Sequence, residues 1–438
     1  MLALDVGTSS VRAGRLEEEP ARREYAGEDE PDRLVELTRE AIEEAGGPTG
    51  VDAVGASCFG HSLIALDAHG RPLTPVLGWR DTRSAAAAEW LSRRLDGRVV
   101  HARTGCHLHT SYWPAKLAWL AQEEPKIFRD AARFVSFADY LYEQLLGEEV
   151  SASISMASAT GLLDLHQQAW DEELLALLGL DHERLPEVAD TPREGWYPAV
   201  LDGACSNVGA GCVTRTRAAL MVGTSGALRV VYESEQPQPR PGLFLYRLDE
   251  RRVVEGGAMS DGGNLHEWLE RTLASTDGAL GDRDPDSHGL TFLTLLGGER
   301  SPGWRPDAKG AIHGLTLETT PRDLRQAGLE GVAFRFAAVA ELMPEVEEVV
   351  ATGGALLNND DWVQIMADAF GRPVTVSAVK EASLRGAGVL VLERLGDSPP
   401  PAPLGRVVEP RLEHAEAYRA ARERQEWLYE AATSAPTT

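Results

Sequence analysis

Short apolar runs alternate with longer stretches that place apolar residues every three or four positions along the first half of the chain. The apolar runs predict β-strands, and residues 2–16 form a hairpin of two of them around a turn. Residues 31–45 predict an amphipathic helix, with Leu34 and Leu37 on one face and Gly46 at its end. The same patterns predict strands at residues 51–59, 63–68 and 72–77, and helices at residues 84–95, 114–122 and 131–146.

The second half of the chain repeats this order of elements, beginning with a second hairpin at residues 219–232. Further strands are predicted at residues 252–257 and 349–352, and helices at residues 264–274, 321–343, 360–370, 380–396 and 412–432. Two similar halves that mix strands and helices indicate an α/β protein with a cleft between two domains. We place the domains at residues 1–213 and 214–438.

A seven-residue segment near the start of the chain returns at its middle. Residues 3–9 read ALDVGTS and residues 219–225 read ALMVGTS, so that only Asp5 and Met221 differ. A Gly-Thr-Ser turn lets the backbone approach a ligand and presents hydroxyl and N–H groups to it. One such turn is typical of ordinary β-turns. Two copies half a chain apart indicate two domains that hold one phosphate chain from both sides.

Composition and charge exclude several classes of protein. The 438 residues suffice for two domains, and 43% hydrophobic with 25% charged residues is typical of a soluble globular protein. A net charge of -25 argues against a nucleic-acid surface, because phosphate backbones are bound by clustered Lys and Arg. No apolar run reaches the roughly 20 residues that span a bilayer, and the N-terminus lacks a secretory signal pattern. We therefore expect a cytoplasmic protein.

The four cysteines do not suggest a disulfide framework or a zinc site. They are Cys58, Cys106, Cys205 and Cys212, and none of them forms a C-x-x-C pair. We expect all four to be buried, reduced thiols.

Phosphate handling does not rest on the commonest kinase signatures. The sequence contains neither a G-x-x-x-x-G-K-[ST] loop nor the protein-kinase set of motifs. Its own motifs lie at residues 4–12, 202–211 (DGACSNVGAG), 223–225 (GTS), 256–263 and 353–359. In this order they resemble the first phosphate motif, the D-G-x-x-x-N-x-G-x-G segment, the second phosphate motif, a nucleotide-side segment and the adenosine-binding turn of the FGGY family of carbohydrate kinases. The resemblance covers almost the whole chain.

This resemblance implies duplicated ATPase domains of the actin and hexokinase type, which are ribonuclease H-like, and ATP as phosphoryl donor. It implies that Asp202 is the general base that accepts the proton of the sugar hydroxyl, and that Asp5 holds Mg²⁺ through water. Met221 at the equivalent place in the second copy fits a single metal ion. The implied nucleotide contacts are Gly7, Thr8, Ser9, Arg12, Gly223, Thr224, Gly263, Gly354 and Asn358. By residue type alone, Asp202 before Gly203 also fits a turn or a helix N-cap.

Several stretches are most similar to the gluconate kinases within that family. They are residues 61–63 (HSL), 104–109 (TGCHLH), 155–162 (SMASATGL) and 223–227 (GTSGA). The similarity implies phosphorylation of gluconate at its primary hydroxyl, which gives 6-phosphogluconate. A pocket for this sugar acid needs a cation together with mixed donors and acceptors, and arginine binds a carboxylate through two hydrogen bonds.

The expected substrate contacts are Asp81, Arg83, His61 and Asp202. Residues 79–83 read WRDTR, and Asp81 and Arg83 match the family's W-x-D-x-R sugar contacts. Asp81 and Arg83 also fit an ion pair with each other at a helix start. His61 and His109 each also fit a histidine that is satisfied in the protein core.

Two departures from the family pattern lie in the half that holds the sugar. Residues 17–32 are shorter than is usual, and Trp113 stands where small residues or proline are usual, just before the K-x-x-W helix at Lys116. Pentuloses such as xylulose or ribulose are therefore alternative substrates. A non-catalytic regulator of the same fold that binds nucleotide or sugar is a further alternative. The expected partners are ATP and a small sugar or sugar acid, and a homodimer stays open.

Overall fold

A computed structural model of the chain describes residues 1–16, 18–25, 27–48, 50–273, 280 and 283–434. The strands of the first half are β1 (Leu2–Val6), β2 (Ser10–Gly14), β3 (Ala21–Glu24), β4 (Val54–Cys58), β5 (Ile64–Leu66), β6 (Arg133–Val135), β7 (Leu163–Asp164), β8 (Ala169–Trp170) and β9 (Val200–Leu201). Its helices are α1 (Pro31–Glu44), α2 (Ala85–Ser92), α3 (Gly97–Thr104), α4 (Trp113–Glu123), α5 (Pro125–Asp130), α6 (Phe137–Leu146), α7 (Ile154–Ser158), α8 (Glu172–Leu178) and α9 (Asp202–Gly209).

The second half has a similar series of elements. Its strands are β10 (Arg217–Val222), β11 (Gly226–Glu233), β12 (Phe244–Arg247), β13 (Arg252–Met259), β14 (Thr291–Leu293), β15 (Ala311–His313), β16 (Glu348–Thr352), β17 (Val374–Ser377) and β18 (Leu404–Val408). Its helices are α10 (Gly263–Thr272), α11 (Pro321–Glu341), α12 (Gly354–Leu357), α13 (Asp360–Phe370), α14 (Ala382–Leu395) and α15 (Ala415–Ser434).

Each half is built around one mixed β-sheet, and the two sheets share the same central arrangement. The first sheet has the strand order β3-β2-β1-β4-β9, and the second has the order β12-β13-β11-β10-β16-β17-β18. β1 lies antiparallel to β2 and parallel to β4, and β10 lies antiparallel to β11 and parallel to β16. The predicted α/β class and the predicted duplication are therefore confirmed.

The parallel strands bring the sequence motifs to one edge of the first sheet. Leu2, Leu4 and Val6 of β1 are fully buried, which explains why this strand is apolar almost throughout. β1, β4 and β9 run parallel, so their carboxyl ends meet at the same edge. Asp5 lies near the end of β1, and Asp202 follows β9 directly. Ligands of α/β sheets bind beyond such carboxyl ends.

Residues 72–77, predicted as a strand, form only isolated bridges in the structure. Pro72 and Pro75 lack the N–H group that a continuous ladder needs, which is the physical reason for this error. β5 pairs instead with β6, which opens the segment that had been predicted as a helix from residue 131. The helix begins only at Phe137, because Ser136 caps it.

Several helix ends and the edge strands of the two large sheets also differ from the sequence prediction. The edge strands β3, β9, β12 and β18 were not predicted, and all four are short. The last helix begins at Ala415 after a 3-10 turn at Leu412–His414, and it buries Tyr418 against the second half as an amphipathic helix should. The predicted helix 264–274 corresponds to α10, and residue 274 lies outside the described residues.

Helices α9 and α14 cross with their backbones in close contact and join the two halves. A Cβ atom built on Gly386 would lie 1.9 Å from the carbonyl oxygen of Cys205, and one built on Gly209 would lie 1.8 Å from that of Ala382. α14 also packs on β1 and β4, although it belongs to the second half of the sequence. The domain boundary at 213/214 stays a prediction.

All four cysteines are free and buried, as expected from the sequence. Burial raises the pKa of each thiol above its usual value. Thiolate is the reactive form of cysteine, so these side chains are chemically inert.

Candidate active site

Two adjoining cavities lie between the halves of the molecule. The Asp202 cavity, of about 610 Å³, is lined by residues that include His61, Asp202 and Arg229. The Thr224 cavity, of about 820 Å³, is lined by Thr224 of the second Gly-Thr-Ser turn, and by residues of both halves. Trp79 and Arg300 line both cavities. A substrate in the Asp202 cavity would therefore lie next to the predicted nucleotide side.

Asp202 lies at the start of α9 with its side chain in this cavity. Its Oδ1 accepts a hydrogen bond of 2.7 Å from the N–H of Gly203. The residue that caps the helix is Leu201, so Asp202 is not the N-cap that its residue type also allowed. Burial raises the pKa of Asp202 to about 6, opposed by the Arg229 charge and reinforced by the Asp5 charge. Near neutral pH the carboxylate is ionised and basic enough to accept a proton.

Asp5 is buried near the end of β1 and is held by two donors. Arg12 donates from Nη1 to Oδ2, and Ser57 donates from Oγ to Oδ1, each over 2.9 Å. Burial raises the pKa of Asp5, and both donors oppose this rise. Because the Asp5 charge raises the pKa of Asp202, the two carboxylates lie within electrostatic reach of each other.

Arg12 joins the first phosphate motif to the second half of the molecule. Besides its bond to Asp5, its Nε lies 3.0 Å from Oε2 of Glu381, which directly precedes α14. The guanidinium group therefore has two acidic partners in this structure. Its contact with nucleotide phosphates stays a prediction.

The first Gly-Thr-Ser turn is tight and presents its hydroxyls outward. The N–H of Gly7 donates to the carbonyl of Ser10 over 3.0 Å, and Tyr25 Oη donates to the carbonyl of Gly7 over 2.6 Å. Thr8 and Ser9 are exposed. The turn is thus fixed through its backbone while its hydroxyl groups stay accessible.

The predicted nucleotide contacts of the second half converge in space. Gly263 donates its N–H to the carbonyl of Gly223 over 2.8 Å, and Asn264 donates to that of Thr224 over 2.9 Å. A Cβ atom on Gly263 would lie 2.5 Å from the Gly223 oxygen and 2.8 Å from Cβ of Ala355. The second turn, the start of α10 and the start of α12 therefore meet closely only because residue 263 is glycine.

The third of these segments is the short turn and helix that carry Gly354 and Asn358. Gly353 has a φ of +88°, and a Cβ there would lie 2.4 Å from the carbonyl oxygen of Val222. Asn358 ends α12 and donates its N–H to the carbonyl of Gly354. The segment is thereby held against the end of β10, and its contacts with a nucleotide stay a prediction.

His61 lies in the Asp202 cavity with a left-handed backbone, at a φ of 63°. Its Nδ1 lies 2.6 Å from the carbonyl oxygen of Ala159, and since a carbonyl only accepts, Nδ1 carries the proton. Burial lowers the pKa of His61 to about 3, and the Arg300 charge lowers it further. His61 is thus a neutral ring whose Nε2 is a hydrogen-bond acceptor.

Asp81 and Arg83 bind each other rather than lining either cavity. Arg83 Nε donates to Asp81 Oδ1 over 3.0 Å, and its guanidinium lies 4.8 Å from the ring centroid of Trp119. Their neighbours Trp79, Arg80 and Thr82 line the Thr224 cavity. The ion pair is the alternative that the sequence had left open, and the role of the pair as sugar contacts stays a prediction.

Sequence reasoning did not single out Arg229 or Arg300, and it named Lys116 only as part of the K-x-x-W helix. Arg229 stands in the apolar strand β11, which was a signal, since an isolated charge there needs a reason. Its Nε donates to Asn207 Oδ1 over 3.3 Å, and its Nη1 lies where a Cβ of Gly203 would be. Arg300 gave no local signal, and the K-x-x-W match did not indicate what Lys116 binds, because the contacts of both residues are distant in sequence.

Lys116 is a buried residue that holds the backbone of two segments lining the cavities. It is 1% exposed, and its Nζ donates to the carbonyl of His61 over 2.6 Å and to that of Ser111 over 2.7 Å. Burial lowers its pKa from 10.5 to about 7. The lysine therefore holds two segments that line the cavities.

Replacing Lys116 with methionine is expected to lower the free energy of unfolding by about 2 kcal/mol or more, because two buried carbonyls lose their donor. Between pH 7 and 10.5 the unfolded chain binds a proton that native Lys116 does not, so wild-type stability gains with pH over this range. The variant should lose this contribution and show a higher KM for the sugar. Denaturant unfolding at several pH values measures the stability and its pH dependence, and steady-state kinetics measure KM.

Exposed Lys126, on the neighbouring helix α5, provides the matched control as Lys126→Met. If the Lys116 and Lys126 variants were equally stable and had the same pH dependence, Lys116 would not hold the two carbonyls as described.

Comparison with known proteins decides the family. The N-terminal domain of the FGGY family of carbohydrate kinases matches residues 1–195, and its C-terminal domain matches residues 218–392. The chain belongs to the FGGY family of carbohydrate kinases. It is therefore an ATP-dependent carbohydrate kinase, as the sequence motifs had indicated.

Relatives within this FGGY family differ in the substrates their names give. The gluconokinase of Bacillus subtilis (strain 168) is 30% identical over 90% of this chain and 88% of its own. The gluconate kinase structure from Lactobacillus acidophilus superposes with a TM-score of 0.88 at 25% identity, covering 98% of this chain and 97% of that one. A ligand-bound xylulose kinase from the same organism reaches 0.89 at 24% identity, with the same coverage. This last likeness shows the fold alone.

None of the helices in the described residues combines the length and the apolar character required to cross a bilayer.

Proposed function

We propose that this FGGY kinase transfers the γ-phosphoryl group of ATP to the primary hydroxyl of gluconate, giving 6-phosphogluconate. The observation that carries the proposal is the placement of Asp202 at the start of α9, in a cavity that adjoins the nucleotide-side turns. The similarity to gluconokinases in sequence supports the choice of substrate, whereas the fold is shared equally with a xylulose kinase.

In the proposed mechanism Asp202 removes the hydroxyl proton as the oxygen attacks phosphorus. Transfer of a phosphoryl group needs alignment and charge neutralisation more than covalent help. A pKa of about 6 keeps Asp202 ionised before attack. The neutral His61 ring and the Thr224 turn border the space in which sugar and phosphates would meet. Closure of the two halves would exclude water from this space.

Asp5 fits the role of a Mg²⁺ ligand through water. It offers hard carboxylate oxygens, and each oxygen has a single donor among the described residues, which leaves lone pairs for further bonds. When bound, the ion would neutralise charge on the phosphates. Met221 at the matching place of β10 offers no such oxygen.

A panel of substrates tests the proposal. With Mg-ATP, release of ADP should rise with gluconate and should be at least about 10-fold weaker, in kcat/KM, with xylulose, ribulose and glycerol, since one pocket contact separates such substrates by about this factor. A rise with a pentulose and a flat response to gluconate would reverse the assignment in favour of the pentulose alternative. The non-catalytic alternative is not supported, because the family is one of kinases. Location in the cytoplasm and a homodimer stay predictions.

A further inference from the structure

The positive and negative charges in the lining of the Asp202 cavity are unequal in number. Among the described residues that line it, the charged ones are Asp202, Arg229 and Arg300. His61 is neutral because burial lowers its pKa to about 3. One positive charge therefore lacks a counterpart, in a protein whose net charge is -25.

Arg229 is the arginine whose charge acts most strongly on Asp202. It is 8% exposed, it is positioned by Asn207, and its Nη1 packs against the Gly203 backbone next to Asp202. Its charge is the main factor that opposes the raised pKa of Asp202. Arg229 thus matches the charge of the base and helps to keep it ionised.

Arg300 is the second arginine of the cavity, and its charge opposes the raised pKa of Asp202 less than the Arg229 charge does. Its guanidinium lies 4.9 Å from the ring centroid of Trp79, where both cavities meet. Its Nε is buried and has no hydrogen-bond partner in the described part of the chain. A buried guanidinium nitrogen without a protein partner is costly, so such a group needs a hydrogen-bond acceptor from a water molecule or a ligand.

We propose that Arg300, whose guanidinium lies over the ring of Trp79, binds the carboxylate of a sugar-acid substrate and so selects aldonates over neutral polyols. The inference rests on the proposed function, since it assumes that the substrate occupies the Asp202 cavity. The planar guanidinium presents parallel N–H donors that match a carboxylate. The two neutral histidines near Arg300, His61 and His109, do not compete for its charge but can bind hydroxyl groups.

This assignment replaces the cation that the sequence had suggested for the same task. Arg83 pairs with Asp81 and lies outside both cavities, so its charge is already matched. A neutral pentulose in the Asp202 cavity would give Arg300 no carboxylate to bind, and only nucleotide phosphates in the adjoining Thr224 cavity, which Arg300 also lines, would match its charge. A sugar acid gives Arg300 an anionic partner within the Asp202 cavity itself, and this argument does not depend on sequence similarity.

The test compares gluconate with sorbitol, which has the same carbon chain but a primary alcohol in place of the carboxylate. In the Arg300→Gln variant we expect kcat/KM for gluconate to fall about 10- to 100-fold, chiefly through KM, as a charge-assisted hydrogen bond is lost. Activity with sorbitol should change less than about 3-fold on the same scale. Arg300→Lys should restore part of the gluconate activity, because lysine keeps the positive charge but lacks the parallel N–H donors of the guanidinium group.

Arg305→Gln is the matched control, because Arg305 is exposed, lies in the same loop and contacts Tyr429 instead of Trp79. Equal losses with gluconate and sorbitol in Arg300→Gln, or no loss with gluconate, would overturn the inference. If the wild type used galactonate or xylonate with an Arg300-dependent KM but not gluconate, only the gluconate assignment would fail. A wild type that used no aldonate would overturn both.

Discussion

Replacing Asp202 with asparagine is expected to lower kcat for sugar phosphorylation by about 10²- to 10⁴-fold while the KM for ATP stays nearly unchanged. Asparagine keeps the oxygen that accepts the Gly203 N–H bond, so the start of α9 should be preserved. What is lost is the group that accepts the hydroxyl proton. Steady-state kinetics with gluconate and Mg-ATP, together with nucleotide binding, measure the effect.

The pH dependence of the wild type gives a second readout of the same group. With a pKa of about 6, Asp202 is protonated as pH falls through 6, and kcat should fall with it. The residual activity of Asp202→Asn should lack this inflection. Because the native pKa lies above the unfolded value of 3.8, the ionised carboxylate costs stability above pH 6, so the variant should be at least as stable as the wild type.

Asp397→Asn changes an exposed carboxylate after α14 and serves as the control for loss of a negative charge. Near-normal turnover in Asp202→Asn would remove Asp202 from the role of general base.

Replacing Gly386 with alanine is expected to destabilise the protein by about 2–3 kcal/mol and to lower kcat as well. The added Cβ would lie 1.9 Å from the carbonyl oxygen of Cys205, which is backbone of α9 and cannot rotate away. α9 and α14 must then move apart, and Asp202 at the start of α9 moves with them. Thermal or denaturant unfolding and kcat measure the two effects.

Gly388→Ala in the same helix is the matched control. Its Cβ would meet the end of the Leu16 side chain at 2.6 Å, and a flexible side chain can give way. Because alanine also favours the helix by up to about 1 kcal/mol, this variant should be nearly neutral or slightly stabilised. Equal stability of the two variants would show that the close crossing of α9 and α14 is not a strict requirement.

The duplicated turns could be predicted from the sequence because each lies in a local pattern of strand, turn and strand, whereas the role of Asp202 was implied only by the resemblance of residues 202–211 to the family motif. The apolar strand before Gly7 had to be buried, and its repeat before Gly223 had to occupy the same place in the second sheet. Parallel neighbours then bring Asp5 and Asp202 to one edge. Local pattern thus suffices to predict the two turns, while the place of Asp202 beside Asp5 depends on β9, which the sequence analysis did not predict.

The sugar-binding side of the site was harder to predict from the sequence, because its residues meet through long-range contacts. Arg300 reaches Trp79 from the other half of the chain, and Lys116 reaches the carbonyl of His61 across the first half. The sequence around Arg300 and Lys116 does not indicate either of these contacts. Arg83 looked equally suitable as a cation, and only the structure shows that Asp81 already neutralises it.

The buried cysteines have a practical consequence for studying motion of the two halves. Because all four native thiols are inaccessible and their pKa values are raised, they should not react with maleimide dyes under native conditions. Val99 is 51% exposed in the first half, and Leu317 is fully exposed in the second. Cysteines introduced at these two places would carry a fluorescent donor and acceptor, with the native thiols left unchanged. Energy transfer between the dyes would then follow opening and closing during turnover.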